Sequence, residues 1–230
     1  MKTAQLVMRV RVFALSIAMI LGGALTVSPV MAASVTFNFT GAVSDIGTQL
    51  SGGPFSLNQP VTGSYTFAST TSNTGSGFTG TYNGALDGPS TNLNVTIGTY
   101  VASLASGANS IEVKNPPSLG ADSYTVTGLF SGSAVNGNSA SSFKLELNNA
   151  STNQFNGVLL PTTAPSISSF ADKTLRLVFG NGGNSRTVIV SLSSLTAVPL
   201  PAAVILFGAG LVALAGLGAG SWRQRRSSVA

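Results

Sequence analysis

The reactive side chains of this 230-residue chain are few: it contains no Cys and no His. Without imidazole there is no Ser-His-Asp relay and no His-bound metal. Without thiol there is no Cys nucleophile and no disulfide. Carboxylates remain, and a glycosidase would need two of them facing each other across a cleft. Six acids occur: Asp45, Asp87, Glu112, Asp122, Glu146 and Asp172. Asp45 and Asp87 fall in expected loops and Glu146 in an expected strand. They read as solvated surface charges, and no pair stands out. Calcium, which takes oxygen ligands, is the least implausible metal, because Asp87-Gly88 and Asp122 lie in or near oxygen-rich loops. No D-x-[DN]-x-[DN]-G run supports it, so no metal and no cofactor is expected.

Other patterns fare no better. Gly75-Ser76-Gly77-Phe78-Thr79-Gly80 matches G-x-G-x-x-G. The dinucleotide fingerprint needs a strand before it and a helix opening after it. Here Ser, Thr and Asn surround the run and a strand-like segment follows, so nucleotide binding is not expected. Tyr65, Tyr82, Tyr100 and Tyr124 could stack on sugars, but alternation favours core or edge packing for them. Asn38-Phe39-Thr40, Asn94-Val95-Thr96 and Asn149-Ala150-Ser151 fit the N-glycosylation pattern. Chance supplies such matches in a chain this rich in Asn and Thr. The inventory points away from an enzyme.

The formal charge of +5 suggests a nucleic-acid partner until the cations are located. Lys2, Arg9 and Arg11 lie near the start, and Arg223, Arg225 and Arg226 near the end. Between them, five cations face six anions, a net of −1. A near-neutral domain with scattered charges has no cationic stripe for phosphates. No nucleic acid partner is expected.

The elements that would position any site are short strands. Residues 35–39, 61–67, 93–97, 111–113, 124–126, 143–147, 175–179 and 188–192 alternate apolar and polar side chains. Period-two alternation with β-branched and aromatic residues indicates half-buried strands. Turn residues separate them: Asn83-Gly84, Asp87-Gly88-Pro89, Asn115-Pro116-Pro117, Asn136-Gly137 and Asn181-Gly182-Gly183. The last is the most convincing hairpin. Residues 69–80 read as a long low-complexity loop. No helical stripe of useful length occurs in the middle. The pattern predicts an all-β antiparallel sandwich, jelly-roll-like, over residues 33–197.

The two ends differ from this middle. Residues 1–32 have the form of a secretory signal peptide: a basic start, an apolar run over 12–27, and a breaker at Pro29. Cleavage is expected after Ala32, with Ala33 the close second. At the other end, residues 202–220 are 19 consecutive residues without charge or strong polarity. As a helix they would span roughly 28 Å, close to a bilayer core. A transmembrane helix is expected over 202–222, with Trp222 at the interface and Arg223, Arg225 and Arg226 as the positive stop. That places the C-terminus in the cytoplasm and the β domain outside.

The run Val198-Pro199-Leu200-Pro201-Ala202-Ala203, followed by Leu206-Phe207-Gly208, Gly210-Leu211 and the terminal arginines, resembles the PEP-CTERM sorting tail. Leu200 stands where that signal more often has Glu, in a V-P-L-P-A-A variant. The resemblance covers residues 198–226. It implies export by the Sec machinery and handling by an exosortase near Val198, Pro199, Leu200 and Pro201. It also implies passage through the inner membrane to the cell envelope or outside, with exopolysaccharide and biofilm as the setting. The expected function is thus a non-catalytic exported surface or matrix protein. The alternative is a lectin-like carbohydrate-binding module.

Overall fold

The structure is a computed structural model that describes residues 34–117, 122–150 and 153–198. The expected signal peptide, the expected cleavage sites Ala32 and Ala33, and the tail beyond Val198 lie outside the described residues. So do the two expected helices. Among the described residues no helix is long and apolar enough to cross a membrane.

The described residues form ten strands joined by turns and short 3-10 segments: β1 (Ser34–Ile46), β2 (Pro60–Ala68), β3 (Thr79–Asn83), β4 (Leu93–Ile97), β5 (Tyr100–Leu104), β6 (Ser110–Lys114), β7 (Ser123–Gly132), β8 (Ala140–Ala150), β9 (Phe170–Phe179) and β10 (Thr187–Ala197). Every strand pair is antiparallel. The all-β antiparallel expectation holds.

The sandwich does not. The strand order β3-β6-β7-β5-β4-β2-β1-β10-β9-β8 is closed by a further pairing of β7 with β8. Eight strands (β1, β2, β4, β5, β7, β8, β9 and β10) therefore form a closed barrel. Strand β7 makes the closure. One edge of it pairs with β8 over Tyr124 to Leu129. Its other edge pairs first with β6 and then, through Phe130 to Gly132, with β5. The β3–β6 pair fills the wall where β7 leaves β5. Alternation tells which face of a strand is buried, and a sandwich and a barrel both bury one face. The long strand β1 bends around the wall at register shifts between Thr40 and Gly41 and between Val43 and Asp45. Such bulges add the twist that closure needs.

Side chains fill the lumen. Phe37 packs edge-on against Tyr65 and Phe67, at centroid distances of 5.6 and 5.3 Å. Toward the other end Phe55, Tyr100, Phe130 and Phe179 form a second aromatic group, with Phe55 brought in by the β1–β2 connection. Gly63 leaves room for Phe39: a Cβ there would strike the Phe39 ring and the Asn94 carbonyl.

Turn chemistry follows the sequence. Asn136 and Gly137 both take positive φ, 50° and 77°. Val135 and Asn138 exchange two hydrogen bonds of 2.9 Å across them. This is the Asn-Gly two-residue turn in its favoured geometry. The segment 181–183 joins β9 to β10 as expected, lengthened by a 3-10 turn at Asn184–Arg186.

Because neighbours alternate in direction, the barrel has two distinct ends. Ser34 pairs with Ala68, Thr79 with Lys114, Lys114 with Ser123, and Ala150 with Phe170. Phe37 pairs with Ala197. One end therefore gathers the start of β1 and the end of β10. The opposite end carries the 47–59, 98–99, 133–139 and 180–186 connections.

Candidate functional site

The lumen carries buried phenols. Tyr65, Tyr82, Tyr100 and Tyr124 are all at most 4 % exposed, so they form no sugar-stacking row. Tyr65 donates to the Tyr124 hydroxyl at 3.1 Å across the lumen. Tyr82 donates to the carbonyl of Val158 at 2.6 Å. The Tyr100 hydroxyl is buried without a partner. Burial raises the pKa of each phenol, that of Tyr100 to about 12.

The carboxylates are spread over the wall and its connections. Asp45 is exposed near the end of β1, and Asp172 is exposed on β9. Asp87 is exposed in the segment before β4, where its Oδ1 accepts from Asn109 Nδ2 at 2.6 Å. Asn109 is itself buried and accepts the Leu86 N–H at 2.9 Å, so this corner is a structural clamp. A surface depression of about 310 Å³ adjoins it, lined by Asp87, Ser90, Leu104, Ser106 and Asn109. Glu112 and Glu146 flank β7 in one outward row through Thr125. They sit on a convex wall, each paired with its own lysine: Glu112 with Lys114 at 2.8 Å and Glu146 with Lys144 at 2.7 Å. Partial burial pushes the Glu146 carboxyl up. Hydrogen bonds from Lys144 and Asn148 and the charges of Lys144 and Arg176 outweigh it, so its pKa lies below the ordinary value.

Asp122 is 1 % exposed. Its Oδ2 accepts the backbone N–H groups of Gln154 and Phe155 at 2.6 and 3.0 Å. It fastens the β8–β9 connection to the start of β7. Asp87 and Asp122, the two residues weighed for calcium, serve these separate corners. Among the described residues no three acidic side chains are gathered as metal ligands. The glycine run 75–80 leads into β3 rather than a helix. Val198 donates its N–H to the Thr36 carbonyl at 2.8 Å, extending the β10 edge by one bond. Pro199, Leu200, Pro201, Arg223, Arg225 and Arg226 lie outside the described residues.

The structure assembles one feature that the sequence reading missed. On the outward face of β10, β1, β2, β4 and β5 a row runs Thr196–Asn38–Ser64–Asn94–Ser103. A second row runs Ser194–Thr40–Thr62–Thr96. Thr36 and Thr66 form a third, bonded at 2.8 Å. Thr40 Oγ1 also meets the Ser194 hydroxyl at 2.7 Å. Rows two residues apart stand roughly 7 Å from one another, with about 4.8 Å between strands. The result is a charge-free lattice of hydroxyls and amides. Opposite it, β6, β8 and β9 carry Glu112, Lys114, Lys144, Glu146, Asp172, Lys173 and Arg176. The signal was visible as charge spacing: between Asp45 and Glu112 the chain has one charged residue, Asp87.

No protein-family model matches the chain, and neither the curated proteins nor the solved structures include a match.

Proposed function

We propose that this chain is an exported, non-catalytic protein of the bacterial cell surface or extracellular matrix. It is delivered by Sec, held in the inner membrane by its tail, and sorted by an exosortase-type enzyme acting near Val198 to Pro201. The tail motif described above supports the sorting. For the domain, the observation that carries the reading is the filled lumen. With the interior occupied by aromatic side chains, the outer wall is the working surface, and the wall lattice suits hydrogen-bond exchange with a hydrated matrix.

The alternative reading, a carbohydrate-binding module, draws on the same lattice. Rows of Asn, Ser and Thr without charge match the hydroxyls of a neutral polysaccharide. They carry no cation to pair with an acidic one.

The sorting reading is tested by the mature mass and location of the protein in its own host, with and without the exosortase. Loss of both ends and release in the wild type, with a retained tail in the mutant, is the expected result. A tail attached in both strains would make this an ordinary single-span membrane protein and overturn the sorting.

A further inference from the structure

The end of the barrel where β1 starts and β10 ends carries exposed apolar side chains. Phe78, immediately before β3, is 59 % exposed, Leu159 79 % and Val198 42 %. Phe78 is fixed at this rim, because its carbonyl accepts the Asn115 N–H at 2.9 Å, just past the end of β6. Leu159 reaches the same rim. The β8–β9 connection crosses to β3, where the Val158 carbonyl accepts the Tyr82 hydroxyl and lies against Gly80. Leu159 is thus carried on a fastened connection, with Asp122 anchoring one part of it and Tyr82 the next.

The spacing of the chain says what lies opposite this rim. Val198 is still tied to β1 through Thr36. The uncharged run begins at Ala202, four residues on. Four residues reach at most about 14 Å when fully extended. Two of the residues between are Pro199 and Pro201, which favour an extended, semi-rigid spacer. The polar headgroup layer occupies roughly 5–7 Å on each side of the hydrocarbon core. The tether therefore holds this rim within about 7–9 Å of the headgroup layer, nearer the lipid than any other part of the barrel.

We propose that this rim is a lipid-contacting surface. While the tail is in the membrane, the barrel is seated on its terminal end, with Phe78 and Leu159 in the headgroup region of the outer face. The inference rests on the membrane-spanning reading of the tail. Lys114, at the same rim, is paired with Glu112 at 2.8 Å, so the contact is apolar in character and insensitive to salt. The opposite end, with its 133–139 and 180–186 turns, then faces outward.

The chain has no Cys, so single cysteines can be placed at will. The chain with its tail is reconstituted into phosphatidylcholine vesicles after labelling at Phe78→Cys or Leu159→Cys with an environment-sensitive fluorophore. Leu57→Cys, at the opposite end, and Val101→Cys, on the wall, are the controls. The vesicles carry a lipid-borne quencher. The expected result is that the protein floats with the vesicles and loses emission at 78 and 159, and not at 57 or 101, at low and high salt alike. Flotation with no quenching at 78 and 159, or with equal quenching at all four positions, would overturn the seating and leave the tail reading intact. A blue shift at 78 and 159 without quenching would point to contact with a second copy of the chain and overturn it equally. Failure to float would overturn the tail reading and the seating with it.

Discussion

The lumen and the outer wall are lined by alternate residues of the same strands, yet they follow opposite rules. Inward positions are large and aromatic, and they interlock. Phe37, Phe39, Tyr65 and Phe67 come from just two neighbouring strands. Outward positions between them are small and polar: Asn38, Thr40, Ser64 and Thr66. In a chain without disulfides, stability rests on what the lumen buries. The wall is then free to vary in what it offers to solvent and partners. Within the wall the contrast repeats, with a half on β10 to β5 whose one charge is Asp45 at the end of β1, and a charged half on β6, β8 and β9.

The lumen's dominance can be broken most completely by alkali. The unfolded chain ionises its tyrosines near their ordinary pKa, about 10. In the folded barrel burial raises all four, Tyr100 to about 12. A raised phenol pKa means that the fold retains protons the unfolded chain gives up. Stability is therefore intact below pH about 10 and falls as pH rises from there through about 12. Phenolate absorbance should appear together with loss of β-sheet circular dichroism. Ionisation well before unfolding would contradict the burial.

Substitutions give graded versions of the same contrast. Phe37→Ala should cost about 3–5 kcal/mol in denaturant unfolding, as expected for a large core truncation. Gly63→Ala should cost about 1–3 kcal/mol, because the new methyl meets both the Phe39 ring and a backbone carbonyl. On the wall, Lys144→Met should cost no more than about 1 kcal/mol, since the pair with Glu146 is partly exposed. The Glu146 carboxyl, held below its ordinary pKa, contributes above the ordinary carboxylate range. It loses that contribution as pH falls through its folded value. A Glu146→Gln variant should show a flatter acid limb in the same titration. Asn94→Ala should stay within about 0.5 kcal/mol of the parent. A wall substitution as costly as Phe37→Ala would dissolve the distinction.

Much of this was legible in the sequence, and the failures have identifiable causes. The strand over 61–67 and the β9–β10 hairpin follow from clean alternation and a Gly-rich turn. β5 escaped because Tyr100-Val101-Ala102-Ser103-Leu104 puts the valine outside, 55 % exposed, and the alanine inside. β3 was read only as a strand-like segment after the glycine run, without bounds, because Gly80 is one of its inward residues and leaves little apolar signal in Thr79–Asn83. β1 was read only to Phe39, since Gly41 puts no side chain at the next inward position and the extra residue Ser44 breaks the period beyond Val43. The barrel itself depends on β7 pairing with three partners, which no local pattern encodes. The wall lattice also needed the register, because Asn38, Ser64 and Asn94 become neighbours only through strand pairing.

The working-surface account is tested most directly by co-sedimentation of the chain with an insoluble neutral polysaccharide. The parent is compared with an Asn38→Asp/Asn94→Asp variant of the lattice and with Lys144→Met on the charged half. The account expects the parent and Lys144→Met to sediment alike and the double variant to stay in solution while remaining folded. Equal sedimentation of all three, or none by the parent, would contradict the assignment of the lattice as the contact surface.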